Sequence, residues 1–264
     1  LEEIKISSTQ IDSAKDGAVV GQCLVLKSDK CDQIYRNRSD FEFVFAPEVT
    51  TLLAEGQFRD TQIIRVFMPK LSHLQSFYSF DNVKLQQCDF PSLEVISGRS
   101  FGLNQFEKAI FPKLKQMEKY NHFYSCKNLK YFQALQLEQI GFDCFRNCSA
   151  LKMVITPKAT ILTNAFYGCE LLEVVSAVES KFTCHCQVCP KCKGTLAACM
   201  KMGQRYPAVQ VLQQRKQKNK QLRMDCARKI RWQKQHNNII SLLQHSLTTS
   251  QEQIAEASYI DEYE

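Results

Sequence analysis

The chain has 264 residues, of which 44% are apolar and 23% charged, a composition typical of globular domains rather than of fibrous or unfolded chains. No run of eighteen apolar residues occurs, so the sequence predicts no transmembrane helix, and residues 1–10 lack the pattern of a signal peptide. The net charge is +7, but residues 215–234 hold nine Lys or Arg against one acid, which leaves the rest nearly neutral.

The thirteen cysteines are an odd number, so they cannot all pair within the chain. Four lie between residues 184 and 192 and others recur at a fixed interval, and neither arrangement is typical of a small secreted disulfide fold. Free thiols and the lack of a signal-peptide pattern favour an intracellular, reducing compartment. The compartment stays open, because a targeting segment could have preceded Leu1.

Residues 1–35 carry only a weak apolar pattern. Ile4 and Ile6, then Leu24 and Leu26, stand about twenty residues apart and suggest two degenerate strands. An array of repeats needs an atypical unit over its first exposed core face. Since a repeat begins next, we expect residues 1–35 to form degenerate first repeats or an N-terminal cap.

A phenylalanine recurs at intervals of 21 or 22 residues through residues 36–178. These residues are Phe58, Phe80, Phe101, Phe123, Phe145 and Phe166. Prolines keep the same period at Pro47, Pro69, Pro91, Pro112 and Pro157. Pro47 implies one more coil before the coil of Phe58. In that coil Tyr35 or Arg36 occupies the position of the recurring phenylalanine. Short apolar groups separated by turns cannot form long helices, so they predict brief parallel strands stacked coil upon coil.

A small side chain stands three residues after each phenylalanine. The position holds Thr61, Val83, Asn104, Cys126, Cys148 and Cys169. A site that accepts these residue types requires a small, partly polar group inside a turn. We therefore interpret its cysteines as core thiols, with disulfides between adjacent coils as the alternative.

The stretches AFYGCELLEVV (Ala165–Val175) and FRNCSALKMV (Phe145–Val154) resemble the BspA-type leucine-rich repeat. The resemblance extends over roughly residues 36–177 in six clear units, although the first two or three lack the cysteine and shorten the spacing from Phe to Leu. It implies a leucine-rich-repeat solenoid of short parallel β-strands with turns. It also implies recognition or adhesion, often at the cell surface, rather than catalysis.

On such a solenoid, the strand residues that point away from the core form the binding face. We predict that this face consists of Arg65, Phe67, Gln87, Asp89, Lys108, Ile110, Tyr131, Gln133, Met153 and Ile155. The set mixes aromatic, aliphatic and charged residues of both signs, which is typical of protein-binding surfaces and not basic enough for a nucleic-acid groove. Alternatively, these are ordinary surface residues or are partly covered by a neighbouring element.

Residues 179–204 form a Cys-rich segment. Cys184, Cys186, Cys189 and Cys192 supply four thiols, the number required by a closed tetrahedral zinc site that would be structural rather than catalytic. One member could be replaced by a nearby ligand: His185, Cys199 or Cys226. A redox or disulfide role and free thiols that cap the solenoid remain alternatives. No nearby carboxylate suggests metal-assisted hydrolysis.

Residues 205–250 predict a basic helical segment, and residues 251–264 an acidic tail. Leu222, Cys226 and Ile230 are spaced as on one helix face. The basic residues of 215–234 could contact nucleic-acid phosphates, bind an anionic membrane with Trp232 at the interface, serve as a nuclear-import signal, or form a solvated helix face.

These patterns favour a non-catalytic module that recognises a protein or a glycan through the solenoid surface. The alternative is a nucleic-acid- or membrane-associated protein that acts through the basic C-terminal helix. An enzyme is disfavoured, because the five histidines are scattered without a nucleophile pattern and the nine glycines form no phosphate-binding loop. The sequence identifies neither the partner nor the oligomeric state.

Overall fold

The computed structural model describes residues 6–178 and 182–206. Ile4, the basic residues of 215–234 and the acidic tail therefore lie outside the described residues.

The described chain begins with a short cap. Helix α1 (Ser8–Ser13) precedes strands β1 (Ala18–Val20) and β2 (Cys23–Val25). Strand β1 pairs antiparallel with β2, so it covers the edge at which the first parallel ladder would otherwise stay open. Ile6 and Ile11 form a small apolar cluster with Cys23 and Val25 of β2, whereas Leu24 between them belongs to the main core.

The rest of the array is a parallel β-solenoid of about seven turns, as the sequence predicts. The strands of the first sheet are β2, β4 (Phe43–Phe45), β6 (Arg65–Phe67), β8 (Cys88–Asp89), β10 (Lys108–Ile110), β12 (Tyr131–Gln133), β14 (Met153–Ile155) and β16 (Val174–Ser176). Those on the second side are β3 (Lys30–Cys31), β5 (Thr51–Leu52), β7 (His73–Leu74), β9 (Val95–Ile96), β11 (Gln116–Met117), β13 (Gln139–Ile140) and β15 (Thr160–Ile161).

Each side is interrupted once within the described residues. On the first side, strand pairing runs from β1 to β6 and again from β8 to β16. On the second side it runs from β3 to β11 and then from β13 to β15. The two interruptions lie in different coils, and adjacent coils stay in contact there, since the Glu138 N–H still donates to the Lys115 carbonyl oxygen at 3.1 Å.

The recurring phenylalanines form one column through the core. Successive ring centroids lie 5.3 to 5.9 Å apart and the planes are nearly parallel. Tyr35 continues the column with its ring 5.4 Å from that of Phe58, so Tyr35 rather than Arg36 takes the phenylalanine position. Phe182 meets Phe166 edge-on and ends the column.

Left-handed backbone conformations flank each phenylalanine. The residue two before and the residue two after it both have positive φ. The twelve residues are Gly56, Asp60, Tyr78, Asn82, Arg99, Leu103, Asn121, Ser125, Asp143, Asn147, Asn164 and Gly168. Gly, Asn and Asp adopt this conformation most readily, and they occupy eight of these positions. The paired turns point each phenylalanine into the core.

At five of the six positions, the small residue after the phenylalanine supplies a side-chain hydrogen-bond donor inside the coil. The cysteine sulfurs lie 3.0 to 3.1 Å from the phenylalanine carbonyl oxygens of the preceding coil, in the pairs Cys126–Phe101, Cys148–Phe123 and Cys169–Phe145. All three thiols are free and buried, which confirms the core-thiol interpretation.

Val83 stands at the same position but cannot donate a hydrogen bond. By the pattern of the cysteines, a donor at position 83 would bond to the Phe58 carbonyl oxygen. That oxygen accepts instead from Thr61 Oγ1 at 2.8 Å. Asn104 Nδ2 donates to the carbonyls of both Phe80 and Phe101. The mixture of Thr, Val, Asn and Cys therefore meets one requirement, a donor for each buried carbonyl.

Residues 182–206 cover the last coil. The helix α2, described over residues 196–206, lies directly on β16, because a Cβ at Gly203 would fall 2.1 Å from the Val175 carbonyl oxygen. Only glycine permits this approach. Cys199 Sγ, 3.5 Å from the Leu172 carbonyl oxygen, joins the same helix to the preceding turn.

Candidate functional sites: a groove on the first sheet and a cysteine cluster

The outer face of the first sheet follows the alternation expected of strands. Ala109 and Phe132 point inward and are fully buried, whereas Phe67 and Ile110 point outward and are 52% and 42% exposed. At the N-terminal end, Phe43 and Phe45 pack against the cluster that contains α1. The accessible part of this face therefore begins at β6.

Four of the predicted binding residues are brought together in one groove of about 600 Å³. Its lining comprises Gln86, Gln87, Cys88, Asp89, Glu107, Lys108, Ile110 and Pro112. We call this the first-sheet groove. Strands β8 and β10 supply it, beside the point where the pairing of the first sheet is interrupted.

The remaining predicted residues flank this groove to different degrees. Arg65 is half-buried, and the exposed Phe67 stacks on Phe45 with ring centroids 5.3 Å apart. Tyr131, Gln133 and Met153 are half-buried on the other side. The Tyr131 hydroxyl donates to the Gln133 side chain and lies 3.3 Å from the Tyr206 hydroxyl on α2. Helix α2 thus borders the accessible face.

The prediction that Ile155 belongs to an exposed face is wrong. Ile155 is only 2% exposed and pairs with Ser176 of β16, the strand on which Gly203 of α2 packs. Ile155 is therefore buried at the end of the sheet on which α2 packs. The alternation of a strand indicates which residues leave the core but not what lies on top of them.

The four predicted metal ligands converge. Their sulfur atoms all lie within 4.8 Å of one another. The distance is 3.6 Å between Cys184 and Cys189, 3.7 Å between Cys189 and Cys192, and 3.8 Å between Cys186 and Cys192. A zinc–sulfur bond is about 2.3 Å long, so the edge of a regular ZnS₄ tetrahedron is about 3.8 Å. Three of the six sulfur–sulfur separations are close to that figure, and all six are at most 4.8 Å.

Backbone groups prepare one of these sulfurs for ionisation. Burial opposes it, but the N–H groups of Gly168, Val188 and Cys189 donate to Cys186 and lower its pKa to about 6. Burial instead raises the pKa of Cys189. Because metal binds thiolate rather than thiol, Cys186 offers a ready first ligand. Gly168 belongs to the last coil, so this bond also fastens the cluster to the solenoid.

Sequence reasoning missed a further groove of about 650 Å³ on the second side of the solenoid. It contains Tyr120 and Phe142, which form a parallel backbone bridge between adjacent coils. The available signal was a pair of aromatic residues outside the recurring phenylalanine position. Among the described residues, no helix is both long and apolar enough to cross a membrane.

A family model described as BspA type Leucine rich repeat region matches residues 51–173 in six copies. None of the curated proteins and none of the solved structures matches the chain. The family match coincides with the coils of the solenoid and confirms the resemblance seen in the sequence. Residues 51–173 of this chain therefore belong to the BspA-type leucine-rich repeat family.

Proposed function

We propose that the chain is a non-catalytic binding or adhesion module, which recognises a protein or a glycan through the exposed face of the first sheet. Leucine-rich repeats generally serve as binding scaffolds rather than as enzymes, and the family match extends that expectation to this chain. The observation that carries the proposal is the first-sheet groove, in which Gln87, Asp89, Lys108 and Ile110 converge.

The groove has the chemistry of a surface for protein recognition. Ile110 contributes exposed apolar area to the groove, and Asp89 and Lys108 contribute charges of opposite sign. Glu107 already pairs with Lys130 at 2.7 Å, but this ion pair is exposed and contributes little to stability. The charges of Glu107 and Lys130 therefore remain available to a partner.

The decisive experiment compares variants of the full-length chain. Proteins captured from cells of the source organism are identified, and the recovered partner is then titrated against the purified chain. We expect Ile110→Asp to weaken binding at least tenfold, because it replaces exposed apolar area of the groove with a charge. Ile34→Asp is the matched control, since Ile34 is also exposed but lies outside the groove.

The alternative function makes the opposite prediction. If residues 215–234 bind nucleic acid or anionic membrane, neutralising their basic residues would abolish binding, and affinity would fall steeply with salt. Loss of binding on deleting residues 207–264, with the repeats still folded, would overturn our proposal. Binding that is insensitive to Ile110→Asp would also overturn it.

We further propose that Cys184, Cys186, Cys189 and Cys192 hold a structural zinc ion. The agreement of their sulfur separations with a ZnS₄ tetrahedron supports this assignment. Bound metal would lock the loop onto the last coil, and it would serve the binding module without taking part in recognition. Protein purified without chelator should contain about one equivalent of zinc, and less than half an equivalent would count against the site.

A reducing compartment suits both features of this chain. The core thiols donate hydrogen bonds as free cysteines, and zinc binding requires reduced ligands. We therefore propose an intracellular location, although family members also occur at cell surfaces. Cells lysed directly into denaturant with an alkylating agent should yield the core cysteines labelled as free thiols, and recovery of disulfides between coils would contradict this location.

A further inference from the structure

The groove on the second side lies where strand pairing is interrupted between β11 and β13. Residues of three successive coils line it: Lys115, Gln116, Met117, Glu118, Lys119, Tyr120, Glu138, Gln139, Phe142 and Leu162. We call this the second-sheet groove. It shares no lining residue with the first-sheet groove, so it is an independent site.

Two aromatic side chains are exposed in the second-sheet groove. Tyr120 and Phe142 are 47% and 49% exposed, whereas the recurring phenylalanines are almost completely buried. The two residues form a parallel β-bridge, which places them side by side on adjacent coils about 4.8 Å apart along the solenoid. Neither ring takes part in the phenylalanine column of the core.

Neighbouring side chains pack closely against the aromatic residues of the groove. The Phe77 ring lies 6.1 Å from that of Tyr120 and needs the space left by Gly98, where a Cβ would fall 2.7 Å from Phe77. A Cβ at Gly141, next to Phe142, would lie 3.0 Å from the buried His122 ring. This close packing limits local movement, so the exposed rings are held ready for a ligand.

The polar residues of the groove carry balanced charge. The lining includes Lys115 and Lys119, Glu118 and Glu138, and the amides of Gln116 and Gln139, and Lys115 also pairs with Glu94 at 2.8 Å. Such a set presents many hydrogen-bond donors and acceptors without a net charge. It is suited to an uncharged ligand that is rich in hydroxyl groups, and not to a phosphate or a nucleic acid.

We propose that the second-sheet groove binds a neutral oligosaccharide. The C–H face of a sugar ring would rest on Tyr120 or Phe142, because the face of an aromatic ring is electron-rich and attracts weakly positive C–H groups. The sugar hydroxyls would bond to the charged and amide side chains around the rings. The groove volume falls within the range of about 300–1,000 Å³ typical of small-ligand sites.

The test is direct titration of the purified full-length chain by calorimetry. The probes are neutral hexasaccharides of glucose, mannose, galactose and N-acetylglucosamine. We expect at least one of them to bind, and we expect Tyr120→Ala and Phe142→Ala each to weaken that binding at least tenfold. Tyr120→Phe should retain it, since the ring is preserved. Leu171→Ala, at an exposed residue outside the groove, is the matched control.

Several results would overturn the proposal. These are the absence of binding for all four sugars, equal binding by the Tyr120→Ala, Phe142→Ala double variant, or affinity that falls steeply with salt. Loss of a captured protein partner in the double variant, without sugar binding by the wild type, would assign the groove to protein recognition instead. Because the Ile110→Asp experiment uses other residues and another ligand, either site can fail without the other.

Discussion

The repeats and the segment that covers their last coil use cysteine in opposite ways. Within the repeats, Cys126, Cys148 and Cys169 are single buried thiols, each donating to a carbonyl of the preceding coil. In the covering segment, Cys186 and Cys192 are partly exposed and belong to a cluster of four. Burial raises the pKa of Cys148 well above its ordinary value, whereas backbone donors lower that of Cys186.

The difference shows that neighbours, rather than the residue type, decide what a cysteine does. A neutral thiol suffices in the repeats because one carbonyl needs one donor, so Thr61 or Asn104 can serve the same purpose. A metal centre requires several ionised sulfurs at fixed separations. We therefore expect cysteine to be replaceable in the repeats and irreplaceable in the cluster.

The largest expected effect comes from removing one ligand of the cluster. Structural zinc sites in small domains contribute roughly 10–16 kcal/mol of apparent binding free energy, so Cys189→Ser should abolish metal binding and loosen the covering segment. Hydrogen exchange followed by mass spectrometry should show faster exchange in residues 182–206. The central coils, which contain the phenylalanine column, should keep their protection.

A chelator applied to the wild type should reproduce this local change. The matched control is Cys148→Thr, which removes a core thiol but should leave the zinc content at one equivalent. Equal loss of protection throughout the repeats after Cys189→Ser would contradict the separation between the two regions. Unchanged zinc content in Cys189→Ser would mean that this cysteine cluster is not a zinc site.

The same contrast explains what could be predicted from the sequence. The period of the phenylalanines predicts the solenoid, and the spacing of Cys184 to Cys192 predicts the cluster, because both depend on local repetition. The burial of Ile155 could not be predicted, because it occurs where a later part of the chain, α2, packs on the neighbouring strand β16. The second-sheet groove depends on side chains from three successive coils coming together, and the only local signal for it was the aromatic pair Tyr120 and Phe142 outside the recurring position.

Acidification provides a second way to separate the regions, with an effect of intermediate size. His122 is fully buried in the repeats and its Nε2 lies 2.7 Å from the Glu118 carbonyl oxygen. Burial lowers its pKa to about 4, although the hydrogen bond to Glu118 acts in the other direction. An unfolded histidine has a pKa of about 6.5.

Between those two pKa values the unfolded chain binds a proton that the folded chain does not. The free energy of unfolding should therefore fall as the pH drops from 6.5 to 4, by about 3 kcal/mol in total. Urea unfolding of His122→Gln should lack this component, since glutamine does not titrate. The wild type and His122→Gln should lose cluster metal equally on acidification, so metal loss cannot make their stabilities differ. If the free energy of unfolding had the same pH dependence in both proteins, His122 would not be the titrating group.

The smallest effect concerns a single core donor. Cys148→Thr and Cys148→Val introduce side chains of nearly equal shape, but only threonine can donate to the Phe123 carbonyl as the cysteine does. We expect the threonine variant to be more stable by about 1 kcal/mol in urea unfolding, the usual net contribution of one hydrogen bond. Equal stability would mean that the Cys126 N–H, 3.3 Å from the same oxygen, satisfies that carbonyl alone. The Cys148 thiol would then only fill space in the core. The cysteines of the repeats would differ from those of the cluster by their packing role, and not by donating a hydrogen bond as neutral thiols.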